Sequence, residues 1–141
     1  MKKLFLFGLL MIMSVCCIFG QIDSKKLFVA TNSFVTEASD NWEIYDGKFT
    51  SLDTINEEYT FDGGFVVKIL VGSSRYDFTC TVKNEGDDFS VSISEMKSYA
   101  CDKNGKIIKN GSIMKTSSKV AEQYAAQMKD EIKARMNDIS D

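Results

Sequence analysis

The sequence predicts an α+β domain: an antiparallel meander of four or five strands with an N-terminal and a C-terminal helix packed on one face. Three observations predict it. Apolar residues fall on every second position through Arg75–Met96, the period of a half-buried strand. Near both ends of the chain they recur at three- and four-residue spacing, the period of a helix with one buried side. Between those stretches lie DG, DGG, NEGD and DKNGK, runs whose residues tolerate the backbone angles of tight turns.

The chain has 141 residues, which favours one domain. Its first twenty read as an export signal. Lys2 and Lys3 precede a sixteen-residue apolar run, Leu4 to Phe19, interrupted only by Gly8 and Ser14. As a helix that run is about 24 Å long, short of the ~30 Å hydrocarbon core of a bilayer. A signal peptide over residues 1–20, cut after Gly20, fits better than a membrane anchor. The domain is then 21–141, periplasmic or secreted. The alternative is a lipoprotein acylated at Cys16 or Cys17, although Val15 and Cys16 are poor residues to precede the modified cysteine. Nothing after Gly20 is apolar enough to span a bilayer.

The first helix follows Asp23 or Ser24, either of which can cap it by accepting a hydrogen bond from a free backbone N–H. Leu27, Ala30, Phe34 and Ala38 form one stripe, and Phe28, Val35 and Trp42 its neighbour. The stretch ASDNW frays the helix, and Asp46-Gly47 predicts a turn. Strands follow. TINEEYTF places Ile55, Tyr59 and Phe61 on one side, DGG predicts a tight turn, and FVVKILV (Phe65 to Val71) reads as a central strand covered on both faces. GSS turns the chain into Arg75–Met96, which NEGD divides into a hairpin. DKNGK predicts a further turn, and IIKNGSIM a short edge strand. The last segment is the clearest helix. Ser117 or Ser118 caps it, Val120, Ala121, Tyr124, Ala125, Met128, Ile132 and Met136 line one side, and it holds no glycine. Phe34, Val67, Phe78, Ile93 and Tyr124 are the expected core.

Composition restricts the chemistry. Loss of Lys2 and Lys3 leaves 15 basic against 20 acidic side chains, a formal charge of about −5. That opposes a nucleic-acid or anionic-membrane partner, since both attract clustered basic charge. The chain has no histidine, so it lacks a His-based triad, an imidazole base and the usual zinc ligands. Cys80 and Cys101 are too far apart for a CxxC redox pair. Whether they form a disulfide is left open: a turn near Gly86 sets Cys80 opposite a residue near Val91, not opposite Cys101. Glu57-Glu58 and Asp87-Asp88 are adjacent pairs, and neighbours on a strand point to opposite faces. DKNGK begins like a calcium loop but lacks the later ligands. No catalytic residue, cofactor or metal ligand is expected.

The helix SKKLFVATNSFVTEASDNW, the hairpin YDFTCTVKNEGDDFSVSISEM and the terminal helix come in an order that resembles a family. It is that of small exported bacterial domains of unknown function, described as having a TATA-binding-protein-like fold. The resemblance covers about residues 23 to 136. It implies a curved antiparallel sheet with helices on one side, and neither a known activity nor DNA binding.

The expected role is a non-catalytic binding or interaction module of the cell envelope, with a protein or glycan partner and a monomeric or weakly dimeric state. Its candidate surface is the polar side of the hairpin: Asp77, Thr79, Thr81, Lys83, Ser90, Ser92 and Ser94. The alternative is a small secreted inhibitor or self-associating protein that pairs through a sheet edge, at Ile107–Met114 or Thr54–Phe61. Lys106, Lys109 and Lys115 would blunt the first of these edges.

Overall fold

A computed structural model describes residues 21–108 and 113–140. The expected signal peptide, Cys16, Cys17 and Lys109 lie outside the described residues. In chain order the elements are α1 (Ser24–Thr36), β1 (Tyr45–Asp53), β2 (Glu58–Ile69), β3 (Gly72–Asn84), β4 (Phe89–Cys101), β5 (Met114–Lys115) and α2 (Ser118–Asn137). The strands form one antiparallel sheet in the order β1-β2-β3-β4-β5. Among the described residues the architecture is therefore an α+β meander with one helix before it and one after.

Both helices start where their caps were expected. The Asp23 carboxylate accepts from the Lys25 and Lys26 amides, and Ser117 Oγ accepts from Val120 N–H. α1 stops at Thr36, earlier than its apolar stripes suggested. Ser39 Oγ accepts from the Asn41 and Trp42 amides, and this local turn folds Trp42 back against Phe34, with ring centroids 5.5 Å apart. Thr31 is buried at no cost in hydrogen bonding, because its hydroxyl donates to Leu27 O at 2.7 Å.

The first half of the sheet departs from expectation in its turns. Asp46-Gly47 is a bulge inside β1, not a turn, and Asp46 takes φ 54°. Thr54–Glu57 is the β1–β2 turn, not part of a strand. Gly63-Gly64 lies within β2, paired with Phe78 and Asp77. Neither glycine is left-handed. Gly63 is needed for close approach, since a Cβ there would stand 2.6 Å from Ile44 Cγ2. TINEEYTF and FVVKILV thus contribute to a single β2. The chain reverses at Leu70-Val71, between the paired Ile69 and Gly72, and not at GSS. Gly72, at φ +123°, supplies the conformation that other residues avoid. FVVKILV is accordingly not a strand covered on both faces: Ile69, Leu70 and Val71 are exposed.

The NEGD turn and the DKNGK turn fall where predicted. Asn84 pairs with Phe89, and Asp102 N–H donates to Lys106 O at 2.9 Å. After that loop, among the described residues, Ile107 bridges to Cys101 and β5 is two residues long.

The core brings Leu27, Ala30 and Phe34 of α1 together with Phe61, Phe65, Phe78 and Val82 of the sheet and with Met128 and Ile132 of α2. Phe34 meets Phe61 edge-on at 6.1 Å, and Phe65 meets Tyr124 at 4.8 Å. Of the expected core, Phe34 and Phe78 are buried, while Val67, Ile93 and Tyr124 pack half-buried around it. Arg135 ties the helices together, with Nη1 donating to Ser33 Oγ at 2.9 Å and to Glu37 O at 3.0 Å.

Candidate functional site

The seven polar residues predicted as an interaction surface do not form one free row. Lys83 pairs with Ser90 and Thr81 with Ser92 across the β3–β4 ladder. Beyond them the register slips: Cys80 faces Ile93, yet Thr79 faces Glu95. Ser94 is the extra residue of a bulge and leaves the hydroxyl row. The slip has a reason in packing. Strict alternation would place Met96 on the polar side, whereas the bulge returns it to the apolar side opposite Phe78, where it is 4% exposed.

The remaining side chains are largely engaged within the sheet. Asp77 accepts from Arg75 Nε at 2.7 Å, and Thr79 Oγ1 donates to Asp62 at 2.7 Å. The Thr81 and Thr60 hydroxyls lie 3.0 Å apart, and Ser90 Oγ donates to Glu85 at 3.1 Å. Lys83 reaches Glu58 at 4.0 Å. These contacts engage Asp77, Thr79, Thr81, Lys83 and Ser90 within the sheet and its turn.

The bulge also separates the cysteines. Cys80 is on the Phe61 side of the sheet. Cys101 pairs with Ser73, in the row of Arg75 and Asp77 on the opposite side. Both thiols are free and buried. Burial pushes the Cys80 thiol up to about 12. Burial, then the Asp102 charge, raises that of Cys101. Neither has the depressed pKa of a reactive nucleophile. Among the described residues no cluster of three or more acidic or cysteine side chains could hold a metal ion.

Unspent hydrogen-bonding capacity lies at the edge of β4. Among the described residues, β5 pairs only with Lys97 and Ser98, so Phe89–Glu95 has β3 on one side and no strand on the other. Met96 O and Ala100 O point outward, accepting from Thr116 N (3.1 Å) and Ile108 N (3.0 Å). The alternation of an antiparallel strand, carried across the one-residue bulge, turns the backbone groups of Val91 and Ile93 the same way.

This edge forms one wall of a groove of about 1080 Å³, and α2 forms the other through Ala121, Ala125 and Ala126. Short side chains on the helix leave the strand accessible. Lys97 and Lys115 stand at one end of the groove. At the other, Lys129 Nζ donates to Asp88 at 2.7 Å. That hydrogen bond, with one from Phe89 N–H, holds the Asp88 carboxyl below the usual range.

Neither edge expected from sequence is this one. Tyr59 to Phe61 is flanked by β1 and β3, and in the described part of Ile107–Met114 Ile107 bridges to Cys101 and Met114 begins β5. The signal for this unpaired part of β4 was present in FSVSISE, which carries no lysine and no proline to blunt it.

A second concavity, about 850 Å³, lies by Trp42, Phe65 and Tyr124. Its rings are committed to the core: Trp42 and Phe65 meet edge-on at 5.2 Å. No known protein family, curated protein or solved structure matches the chain.

Proposed function

We propose that the protein is an exported, non-catalytic binding module of the cell envelope that captures an extended segment of a protein partner by adding it to β4. One observation carries this reading: among the described residues, Phe89–Glu95 is an unpaired strand edge that forms one wall of the groove beside α2. Backbone pairing supplies affinity in such recognition, and alternate side chains supply selectivity. The bound segment lays apolar side chains beside Val91, Ile93 and Ala125, and an acidic residue suits the Lys97 and Lys115 end.

The reading includes both helices lying on the Phe61 face of the sheet. The Phe34–Phe61 and Phe65–Tyr124 ring contacts support this, because Phe61 and Phe65 occupy alternate positions of one strand. It also retains the TATA-binding-protein-like resemblance as a description of the curved sheet.

The test is amide exchange with a synthetic peptide of alternating valine and threonine ending in glutamate. Exchange at Val91 and Ile93 is expected to slow about tenfold or more at saturation. Peptide-induced shifts confined to Thr79 and Thr81 would move the site to the polar face and reject the edge.

A further inference from the structure

The two ends of the sheet differ in chemistry. At one end the β2–β3 hairpin closes through Leu70 and Val71, which are 105% and 93% exposed. Tight hairpin turns favour glycine, asparagine and aspartate. Two branched aliphatic side chains at the tip oppose that preference and add nothing to the core. Local conflicts of this kind occur where function outweighs stability.

Other residues at this end share its character. Ile69 is exposed beside the tip, and Ile107 and Ile108 are exposed on the loop that follows Cys101, the partner of Ser73. Lys68 pairs with Ser73, and Lys103 and Lys106 lie on the same loop. The loop's acid, Asp102, is turned onto its own backbone, accepting from Asn104 N at 2.8 Å and Lys106 N at 2.9 Å.

The far end is about 40 Å away along β3. It carries Asp53, Glu57, Glu58, Glu85, Asp87 and Asp88 at the β1–β2 and β3–β4 turns. Six acids thus lie away from the tip, while Asp40, Glu43, Asp130 and Glu131 line the concavity that Lys68 and Lys103 border.

We infer that this hairpin is a membrane-docking finger. Leu70 and Val71 enter the headgroup–acyl boundary of a bilayer, and Lys68, Lys103 and Lys106 meet anionic headgroups. Shape favours lipid over a protein partner. The finger is convex and only two residues wide, with both side chains almost wholly in solvent, which suits insertion into a deformable interface. Apolar insertion and lysine attraction are the two contributions that hold proteins on membrane surfaces. Net charge argued against an anionic membrane, but local charge decides, because screening confines each lysine's attraction to about 8–10 Å. The Phe89–Glu95 edge lies toward the acidic end and stays accessible in this orientation.

Co-sedimentation of the purified protein with vesicles tests this. Binding is expected to vesicles of phosphatidylglycerol and phosphatidylethanolamine, and to be weaker with phosphatidylcholine alone. Leu70→Ser with Val71→Ser is expected to lower binding about tenfold or more without changing the melting temperature, since both side chains are exposed. Lys68→Gln, Lys103→Gln and Lys106→Gln together are expected to remove the salt-sensitive part. Failure to bind any of these vesicles, or equal binding by the tip variant, overturns the inference. Tip-dependent binding to a protein without vesicle binding also overturns it and reassigns the finger to that partner.

Discussion

Phe78 and Thr79 are adjacent on β3 and have different energetic roles. Phe78 is 4% exposed and lies against the Phe61 and Phe65 rings at 5.9 and 5.8 Å. Phe78→Ala leaves a cavity and loses transfer energy together, an expected cost of about 3–5 kcal/mol. Thr79 makes an exposed hydrogen bond to Asp62, so Thr79→Ala is expected to cost about 0.5 kcal/mol or less. Urea melts of the two variants check both values. A larger loss at Thr79 than at Phe78 would mean that the faces are reversed. The alternation around these residues was legible in sequence because burial on one side leaves a two-residue period. The bulge at Ser94 was not. An extra residue in β4 is defined only by its pairing to β3, and Glu95 gives no local sign that it faces Thr79.

Among the elements, α2 and the β3–β4 turn are joined by Lys129 and Asp88, 2.7 Å apart. Lys129 Nζ also stands 5.4 Å from the centre of the Phe89 ring. Because the folded state depresses the Asp88 carboxyl, the pair favours folding above the unfolded value of about 3.9. That contribution disappears as pH falls through the folded value. Lys129→Met keeps aliphatic packing over Phe89 and removes the charge. Its urea midpoint is expected below that of the unaltered protein at pH 7, with the gap closing below about pH 4. An equal gap at pH 2 and pH 7 would attribute the loss to packing. Both helices were readable from stripe and cap because their signals are local. The strands of the first half were misdivided because glycine has two uses. At Gly63 it makes room for Ile44 instead of turning the chain.

At the scale of the molecule, the sheet separates Cys80 from Cys101. Alkylation at pH 8 is expected to leave both unlabelled in the native protein and to label both in urea, and reduction is expected to add no hydrogens at this pair. Mass spectrometry reads each outcome. A bridged pair would contradict the register that puts the two thiols on opposite faces. Burial of Cys80 with its thiol at about 12 has a further consequence. An unfolded thiol ionises near 8.5, so this cysteine favours folding fully below that pH and loses its contribution as pH rises toward the folded value.

The α+β class, the antiparallel order, both helix caps and the polarity of the β3–β4 hairpin as far as Ile93 follow from sequence alone. Each depends on a period or a cap only a few residues long. The tertiary structure alone decided that, among the described residues, Phe89–Glu95 of β4 has a strand on one side only, and that Leu70-Val71 is a tip and not the end of a core strand. An edge is defined by the strand that does not pair with it, and a tip by the two strands that pair on either side of it. Neither property belongs to any one segment.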